Sequence, residues 1–402
     1  MSPPTARLVS LGDCCRVVNG TTPRAGVPSH WVGDIVWVTP TDLGKLGGVY
    51  IGRSARMISQ NALDSHNLTL RPAGSVVLSS RAPIGHLGIA SVPLCTNQGC
   101  KTLVPLEGVK SEYLFYSLLR VIPELRAMGS GATFAEISKS QVEGFKIPLP
   151  TLAEQDQIAA ALARALAVVD AARRAAEDRL AAAEALPPAY LRGVFETADA
   201  SRWSEFTLGA LVRSPIRTGI SKPGSPTSNK RCLTLSAVRG RTLLLEASKP
   251  VDVNDSDAEG NWLQPGCFYV VRGNGNRELV GRGAFAPDTL RDRMLFPDLL
   301  FQLDLSEAVD PIFFWHLWCS APVRREIEAR ARTAAGIYKI NTSNLASLPL
   351  RLPAIAEQRL IAYDLSLRVE AADSILARCR EELAAIEAIP TSLLRAAFNG
   401  GS

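Results

Sequence analysis

The feature that most constrains this chain is a long internal repeat. The segment LPTLAEQDQIA, Leu149–Ala159, returns as LPAIAEQRLIA, Leu352–Ala362, a shift of 203 positions in a chain of 402 residues. The same shift aligns the two copies without a gap from Leu149 to Phe195. A period this long is too large for a solenoid of short stacked repeats. The sequence therefore predicts two domain-sized halves related by a pseudo-twofold repeat.

Each copy of the repeat predicts one long helix. In the first copy, Thr151 and Glu154 form a T-x-x-E capping box, in which each residue satisfies a backbone amide of the other. A helix over Glu154–Leu186 would span roughly 50 Å at 1.5 Å per residue. The second helix is expected from about Ala356 to Ile389, and it has Ala354 in place of the capping hydroxyl.

The two helices are expected to end at proline-containing phrases. LPPAY, Leu186–Tyr190, closes the first copy, and IPTSL stands at the matching place in the second. LPPAY lacks the acidic or amide residue that would hold the target amine of an amino-methyltransferase, and IPTSL has lost one of the two prolines. We interpret both as helix stops because proline removes a backbone donor and clashes with the preceding turn.

Both helices carry an apolar stripe with heptad spacing, which predicts packing against a partner helix. The alternative is an amphipathic helix that packs only on its own domain. Alanine occupies many stripe positions, which permits close approach but buries little surface. We expect the helix-pair interface to be formed by Ile158, Leu162, Val169, Leu180, Ile361, Leu365, Val369, Leu376 and Leu383.

The order of the segments predicts an α+β fold in which two mixed α/β domains are separated by two long antiparallel coiled-coil helices. Helix one leaves the first globular domain and delivers the chain into the second, so a paired helix two must run back. The expected segments are a first domain over 1–150, a spacer helix and connector over 151–199, a second domain over 200–350, and a second spacer helix with a C-terminal tail over 351–402.

Composition excludes several classes of protein. No stretch of about 18 apolar residues occurs, so no membrane span is expected, and the first residues lack the apolar core of a signal peptide. The eight cysteines are scattered and form no C-x-x-C, and the four histidines have no metal-ligand spacing. These features favour a cytoplasmic protein without a disulfide framework or a metal site.

The net charge of +5 is distributed unevenly. Residues 1–150 contain 14 Lys and Arg against 9 Asp and Glu, and residues 200–350 contain 19 against 15. The two helical segments are net acidic, with 5 against 8 in 151–199 and 6 against 7 in 351–402. This division suits globular domains that contact a polyanion and helices that contact protein.

The two globular blocks have similar patterns of predicted elements. In the first, strands are expected at Asp34–Val38, Ser75–Ser79 and Leu87–Val92, and a helix at Ser111–Met128. In the second, a helix is expected at Asp310–Ala331. Two further segments match each other, because in each a Gly precedes a strand that ends in a polar, basic loop. These are PAGSVVLSSRAP (Pro72–Pro83) and PGCFYVVRGNGN (Pro265–Asn276).

The polar loops are candidates for contact with base edges, because Arg pairs with guanine and Asn or Gln with adenine through two hydrogen bonds. For any one residue an ordinary role is the alternative: a salt bridge for Arg81, a simple turn for RGNGN. As a set they favour a DNA-binding surface. The predicted DNA contacts are Arg81, Asn97, Gln98, Lys101, Arg272, Asn274, Asn276, Arg277 and Arg282.

Motifs for catalysis are missing from the sequence. It contains no G-x-x-x-x-G-K-[ST] loop for a triphosphate, and Cys14 and Cys15 have no recognisable partner motif for a nucleophile. The residues alone therefore predict a chain that binds rather than one that catalyses, with no catalytic and no metal-binding residues.

The chain resembles the specificity (S) subunits of type I restriction–modification systems. The resemblance rests on a block ending in GATFAEISKSQVEGFKIPLP (Gly131–Pro150), then TLAEQDQI, then a long helix, all repeated. SSRAPIG (Ser79–Gly85) and TNQG (Thr96–Gly99) are similar to phrases of that family's target-recognition domains. The second copy, AAGIYKINTSNLASLPLRLP (Ala334–Pro353), is a looser version.

The resemblance implies a non-catalytic subunit in which each globular domain recognises one half of a split double-stranded DNA site. The helices would set the spacer and dock two methyltransferase subunits, and two motor-nuclease subunits would join them. S-adenosylmethionine, ATP and Mg would be cofactors of those partners, with none bound by this chain. The main alternative is a two-domain scaffold that binds proteins and not DNA, and a third is a stand-alone enzyme with an unrecognised site.

Overall fold

The computed structural model describes residues 7–66, 68–81, 83–129, 136–221, 228–290, 292–334 and 336–399. The chain divides into two compact units, one formed by Met1–Glu177 with Glu381–Ser402 and the other by Asp178–Arg380. We call them the first and the second unit. Four of the sequence motifs extend outside the described residues, at 131–135 of Gly131–Pro150, at Ala82 of both SSRAPIG and PAGSVVLSSRAP, and at Ala335 of Ala334–Pro353.

The first unit is built around a five-stranded sheet of order β2-β9-β6-β7-β4, with a three-stranded sheet β5-β3-β8 and a two-stranded sheet β1-β10. Most pairs are antiparallel, but β3 pairs with β8 and β4 with β7 in parallel. The strands are β1 Arg7–Ser10, β2 Cys15–Asn19, β3 Ile35–Val38, β4 Tyr50–Ile51, β5 Met57–Ile58, β6 Val76–Ser79, β7 Leu87–Ala90, β8 Leu94–Thr96, β9 Cys100–Pro105 and β10 Lys146–Leu149.

The principal helix of the first unit, α4, covers one face of the five-stranded sheet with an apolar face that includes Leu114, Leu118 and Ile122. The helices that begin in this unit are α1 Leu11–Cys14, α2 Pro40–Gly44, α3 Gln60–Ser65, α4 Ser111–Met128, α5 Lys139–Gly144 and the long α6 Leu152–Glu184, with a 3₁₀ turn at Pro28–Trp31.

The second unit repeats the central strand pairing in a four-stranded sheet of order β12-β18-β15-β17. A pair β11-β21, a pair β13-β14 and a three-stranded sheet β16-β20-β19 accompany it. The strands are β11 Ser204–Thr207, β12 Arg217–Thr218, β13 Arg231–Leu233, β14 Ser248–Pro250, β15 Phe268–Val271, β16 Gly273–Asn274, β17 Gly283–Phe285, β18 Leu300–Leu303, β19 Arg332–Ala334, β20 Ile337–Lys339 and β21 Pro349–Leu352.

The helices of the second unit surround a core rich in aromatic rings, in which Phe268, Phe313, Phe314 and Trp318 are almost fully buried. They are α7 Leu186–Phe195, α8 Asp255–Ala258, α9 Pro311–Cys319, α10 Ala321–Arg330, α11 Thr342–Ala346 and the long α12 Ile355–Asn399. The last helix begins in this unit and ends in the first. Four 3₁₀ turns lie at Ala200–Arg202, Leu208–Leu211, Leu235–Ala237 and Arg277–Leu279.

The fold class predicted from the sequence is confirmed, with mixed α/β units and long helices. The expected strands and the helix Ser111–Met128 are present, and so is the capping box. Thr151 N donates to Glu154 Oε2 over 2.9 Å, and Glu154 N to Thr151 Oγ1 over 3.4 Å.

Two sequence expectations about the helices are wrong. The stop expected at IPTSL is absent, because Pro390 lies inside α12, whereas α6 does end at Glu184, just before LPPAY, and Pro187 lies in the first turn of the next helix, α7. A proline in a first turn is tolerated, since the amide it lacks has no helical partner there. The expected single helix Asp310–Ala331 is two helices separated at Ser320, which has extended backbone.

The repeated Gln of the AEQ phrase joins the start of α6 to the loop that precedes α4. Gln155 is fully buried. Its Oε1 accepts from Lys110 N over 2.9 Å, and its Nε2 donates to Gly108 O and Pro150 O, each over 2.9 Å. Because three backbone groups depend on one side chain, the residue type at this position is fixed by hydrogen bonding rather than by helix propensity.

Gln358 makes the matching contacts in the second unit and is 2% exposed. Its Oε1 accepts from Asp310 N over 3.0 Å, and its Nε2 donates to Ala308 O over 3.0 Å and to Pro353 O over 2.9 Å. The repeat in the sequence therefore corresponds to a repeated joint between a long helix and its domain.

In the first unit, the beginning of α6 and the end of α12 pack into the same core. Leu162 and Leu394 are both buried in the cluster that also contains the apolar face of α4. The rings of Tyr113 and Phe398 lie 5.5 Å apart. Since early residues of α6 and late residues of α12 meet the same side chains, the two helices run antiparallel within this unit.

In the second unit, the same direction follows from two contacts. Arg380 Nη2 lies 3.4 Å from Glu184 Oε1, and the Arg368 guanidinium lies 5.9 Å from the Tyr190 ring. A later residue on one segment therefore meets an earlier residue on the other. Of the residues predicted for the helix-pair interface, Leu162, Val169, Leu365 and Leu376 are buried, and Ile158, Leu180, Ile361, Val369 and Leu383 are half-buried.

Candidate nucleic-acid interface

In the first unit, the loop that follows β6 meets the segment that precedes α5. Ser80 N donates to Gly99 O over 2.8 Å, and Ile137 N donates to Ser80 O over 3.0 Å. Arg81 and Glu136 form an isolated antiparallel bridge. The end of the strand therefore brings Arg81 to the surface beside an acidic residue from a distant part of the chain.

Lys101 lies beneath this loop and only 4% of it is exposed. Its Nζ is 3.2 Å from Ser80 Oγ and 3.5 Å from Glu136 Oε1. The other carboxylate oxygen of Glu136 is 3.9 Å from Arg81 Nη1. We call Ser80, Arg81, Lys101 and Glu136 the Arg81 cluster. Burial of an ammonium is costly unless it is paired, and this cluster supplies the pairing.

Asn97 and Gln98 form the neighbouring turn between β8 and β9. The Asn97 side-chain oxygen accepts from Gly99 N over 3.0 Å, and the Thr22 hydroxyl donates to the Gln98 side-chain oxygen. Both contacts use the side-chain oxygens of Asn97 and Gln98. The side-chain NH2 groups are therefore the donors that would contact a ligand. A polar cleft of about 560 Å³ lies here, lined by Asn19, Gly20, Gln98, Lys101, Glu136, Ser138, Lys139 and Gln141.

A second group of basic residues, which no sequence motif marks, lies next to the Gln98 turn. The Arg56 guanidinium lies 3.5 Å from the centre of the Trp31 ring. Trp31 Nε1 donates to Arg24 O over 3.3 Å. Arg24 is two residues from Thr22, which contacts Gln98. An exposed guanidinium that stacks on an aromatic ring is suited to binding an anionic ligand. Neither Arg24 nor Arg56 lies in a recognisable sequence motif.

In the second unit, the predicted residues follow β15. Arg272 is half-buried, its Nη1 is 3.4 Å from Asp298 O, and its guanidinium lies 5.7 Å from the centre of the Phe301 ring. Asn274 lies in β16, beside the hairpin of β19 and β20. The Asn274 side-chain oxygen accepts from Asn276 N over 2.9 Å.

The remaining predicted residues stand around the short 3₁₀ turn. Asn276 begins it, and its side-chain oxygen accepts from Glu278 N over 2.9 Å. Arg277 Nη2 donates to Glu328 O over 2.9 Å, and Arg282 is exposed after the turn. The side chains of Asn274 and Asn276 thus both accept their hydrogen bonds from the backbone through the side-chain oxygen. Contact of these residues with DNA stays a prediction.

The strand register identifies equivalent positions in the two units. Leu78 pairs with Lys101 across β6 and β9, and Val270 pairs with Phe301 across β15 and β18. Lys101 of the first unit therefore corresponds to Phe301 of the second, and Ser80, two residues after Leu78, corresponds to Arg272. The backbone is repeated, while the side chains at the strand end are different.

Three buried cysteines, Cys95, Cys100 and Cys232, are not reactive thiolates. Burial raises the pKa of Cys95 to about 11 and of Cys100 and Cys232 to about 12, so these thiols stay protonated at neutral pH. Within the described ranges, no group of three or more His, Cys, Asp or Glu side chains could hold a metal ion. No helix in the described part of the chain is both long and apolar enough to cross a membrane.

The two units share one backbone plan, differ in the side chains of their loops, and are each joined to a long helix. The family model of the type I restriction modification DNA specificity domain matches residues 5–173. Two solved chains match the fold at 18% sequence identity. One, described as part of work on the assembly and conformational transition of the type I R-M system, covers 100% of both chains with a TM-score of 0.78. The other, the HsdS subunit from Thermoanaerobacter tengcongensis, covers 100% of this chain and 98% of that one with a TM-score of 0.62.

Curated relatives agree with this match. The type I restriction enzyme MjaIX specificity subunit of Methanocaldococcus jannaschii is 40% identical over 154 residues, 38% of this chain and 36% of that protein. The EcoKI specificity subunit of Escherichia coli K12 is 24% identical over 287 residues, 69% of this chain and 62% of that protein. The matches thus span less than two thirds of each relative. Residues 5–173 are therefore similar to the type I restriction modification DNA specificity domain, and the chain as a whole shares the fold of the two solved structures.

Proposed function

We propose that this chain is the DNA-recognition subunit of a type I restriction–modification complex in the cytoplasm. Each globular domain would contact one half of a bipartite duplex site. The observation that carries the proposal is the pair of equivalent strand ends, where one backbone places Arg81 opposite Glu136 in one unit but Gly273 opposite Lys339 in the other. A protein that recognises two different half-sites needs this combination of a common scaffold and different side chains.

The proposed division of the chain follows from the repeat. Residues 1–150 and 200–350 would be the two target-recognition domains. Residues 151–199 and 351–402 would supply the spacer helices, the connector and the C-terminal tail. The acidic balance of the helical segments and the basic balance of the domains support this assignment, because DNA is a polyanion and the partner subunits are proteins.

The proposed partners carry the chemistry. Two methyltransferase subunits would dock on the helices and bind S-adenosylmethionine, and two motor-nuclease subunits would use ATP and Mg. The chain itself would be non-catalytic. The isolated chain should therefore show no methyltransferase, ATPase or nuclease turnover, while it co-purifies with a methyltransferase subunit. Turnover by the chain alone would contradict this part of the proposal.

Mapping of methylated bases in cells that carry the whole system tests the DNA role directly. The expected result is one split motif with two specific halves. Replacement of Arg272, Asn274 and Arg277 by Ala should relax the recognition of one half-site only. Each base contact removed should cost about 1–3 kcal/mol of DNA-binding free energy. Arg272 and Arg277 also bond backbone carbonyls, so the unfolding curve of the variant must match that of the parent. Equal loss at both halves would mean that these loops do not recognise a half-site.

Salt dependence separates DNA recognition from the protein-scaffold alternative. For a chain that neutralises several phosphates, the logarithm of the DNA affinity should fall linearly with the logarithm of the salt concentration. Arg56→Ala should weaken binding to all duplexes and reduce that slope by about 1, without changing the motif. A complex that binds its methyltransferase but gives no split motif and no salt-dependent DNA binding would support the scaffold instead.

A further inference from the structure

The Arg81 cluster contains one residue of the predicted DNA surface that points into the protein. The Lys101 side chain is 5% exposed and has two oxygen neighbours, Ser80 Oγ and Glu136 Oε1. Arg81 and Glu136 are 39% and 42% exposed. Lys101 is therefore placed to hold Glu136, while Arg81 and Glu136 are placed to meet a ligand.

The charges in the cluster alternate in sign: the Glu136 carboxylate lies between the Lys101 ammonium and the Arg81 guanidinium. The buried ammonium has the Glu136 carboxylate as its acidic neighbour among the described residues, and this fixes one carboxylate oxygen. The second oxygen faces Arg81. A guanidinium that is already restrained loses less conformational entropy when it binds than a freely rotating one, so its affinity and its selectivity both increase.

We propose that Lys101 and Glu136 are positioning residues that orient Arg81 to recognise a guanine in the first half-site. The inference rests on the proposed function and assigns separate roles within its recognition surface. The planar fork of arginine matches the two acceptors of guanine in the major groove, which is the commonest specific contact between protein and DNA. Lys101 would then contact no DNA, although its charge is part of the basic balance of the domain.

The second unit supports a role confined to one half-site. At the position of Lys101 it has Phe301, and the Arg272 guanidinium lies over that ring instead of beside a carboxylate. Glu136 forms its bridge with Arg81 just before Ile137, and Ile137 N donates to Ser80 O as Ile340 N donates to Arg272 O. The residue that precedes Ile340 is Lys339. The cluster thus has no counterpart of the same charge in the second unit.

The test uses this chain together with its methyltransferase subunit and duplexes in which single base pairs are exchanged. Glu136→Gln keeps the shape of the side chain and removes its charge. We expect discrimination at one G·C pair of the first half-site to fall by roughly 10-fold. The second half-site and the salt slope should stay at the parent value, whereas the midpoint of thermal unfolding should fall because the buried Lys101 ammonium loses its acidic neighbour.

Two further variants show whether Glu136 acts through Arg81. Arg81→Ala should abolish discrimination at the same base pair, and the double variant R81A/E136Q should behave like R81A alone, because the effects of coupled residues do not add. Lys101→Met should cause the same relaxation as Glu136→Gln. Glu143→Gln, which removes the exposed 3.3 Å ion pair with Lys139 in the same unit, is the matched control and should change nothing.

The outcomes distinguish this inference from the proposed function. If the parent complex recognises no split motif, the proposed function fails. If the parent recognises a split motif and Glu136→Gln leaves every base pair unchanged, only the inference fails. Loss of affinity for all duplexes in Lys101→Met, with a salt slope lower by about 1 and an unchanged unfolding curve, would show that Lys101 contacts a phosphate and would overturn the assignment.

Discussion

Gln155 and Gln358 stand 203 positions apart and make the same three hydrogen bonds. Each side-chain oxygen accepts from the backbone amide just before a domain helix. Each side-chain nitrogen donates to one carbonyl of that loop and to the carbonyl of the Pro before its own long helix. Both residues are almost completely buried. The AEQ phrase therefore recurs at the two joints where a domain is fixed to a long helix.

Removal of this side chain should destabilise the unit in which it lies. Gln358→Ala removes the hydrogen-bond partner of the Asp310 amide and of the carbonyls of Ala308 and Pro353, and a buried group that is left unsatisfied costs about 1–3 kcal/mol. We expect a loss of about 2–4 kcal/mol in the free energy of unfolding. Gln157→Ala, at an exposed position of α6, is the control. Equal effects of the two substitutions in denaturant titration would show that the hydrogen bonds contribute nothing specific.

The stability of the second unit should depend on pH through His316. This residue lies on α9 and is 2% exposed, and its Nε2 is 3.3 Å from Ser366 Oγ on α12. Burial, with a smaller contribution from Arg241, lowers the pKa of His316 to about 4 from 6.5. The neutral ring is therefore the form that the folded unit accommodates, whereas the unfolded chain accepts the proton near pH 6.5.

The sign of the effect follows from that lowered pKa. The stabilising contribution is complete above about pH 6.5 and is lost as the pH falls toward 4, because protons bind preferentially to the unfolded chain in this interval. The midpoint of thermal unfolding should fall between pH 7 and pH 5, and it should fall less in His316→Gln. His86→Gln in the first unit is the control. A parent and a His316 variant with parallel pH profiles would exclude His316 as the cause.

Gly20 should be needed for recognition of the first half-site because it lets β2 pass the Asn97–Gly99 turn. A Cβ at this position would lie 1.8 Å from Asn97 O, and Gly20 N donates to Cys100 O over 3.1 Å. Gly20→Ala should displace the turn, lower the unfolding midpoint and weaken the first half-site while the second is kept. Gly26→Ala, where nothing lies within 4 Å, is the control. Methylation mapping that gives an unchanged motif for Gly20→Ala would refute this prediction.

The repeat and local patterns were enough to predict the long helices, the strands of the first unit and the capping box, because these depend on residues close in sequence. They were not enough to predict that α12 continues through Pro390, since tolerance of proline depends on how the last turns pack in the first unit.

The candidate interface is less accessible to sequence reasoning. The sequence pattern predicts Lys101 as a DNA contact, but the pairing of β6 with β9 buries its side chain. No sequence pattern points to Glu136, because its partners Arg81 and Lys101 are 55 and 35 positions away. Arg56 becomes a candidate only through its contact with Trp31. Such contacts are set by tertiary packing, which a single sequence does not display.

The last prediction treats the helices as a ruler between the two half-sites. The first domain precedes α6 and the second follows it, so under the proposed function helix length would set the gap between the sequences recognised. We would insert four residues after Arg174 in α6 and four after Ala377 in α12, matched positions on the two helices. Four residues add roughly 6 Å and about one turn, which nearly restores the apolar stripe.

DNA rises about 3.4 Å for each base pair, so the unspecific spacer in the methylated motif should lengthen by one or two base pairs. Both half-site sequences should stay the same, because the Arg81 cluster and the loop after β15 lie far from the insertions in sequence. Insertion into α6 alone is the control, and it should abolish methylation because the two stripes no longer match in length. A double-insertion variant that methylates DNA with the parent spacer would show that the helices serve only as docking surfaces for the methyltransferase.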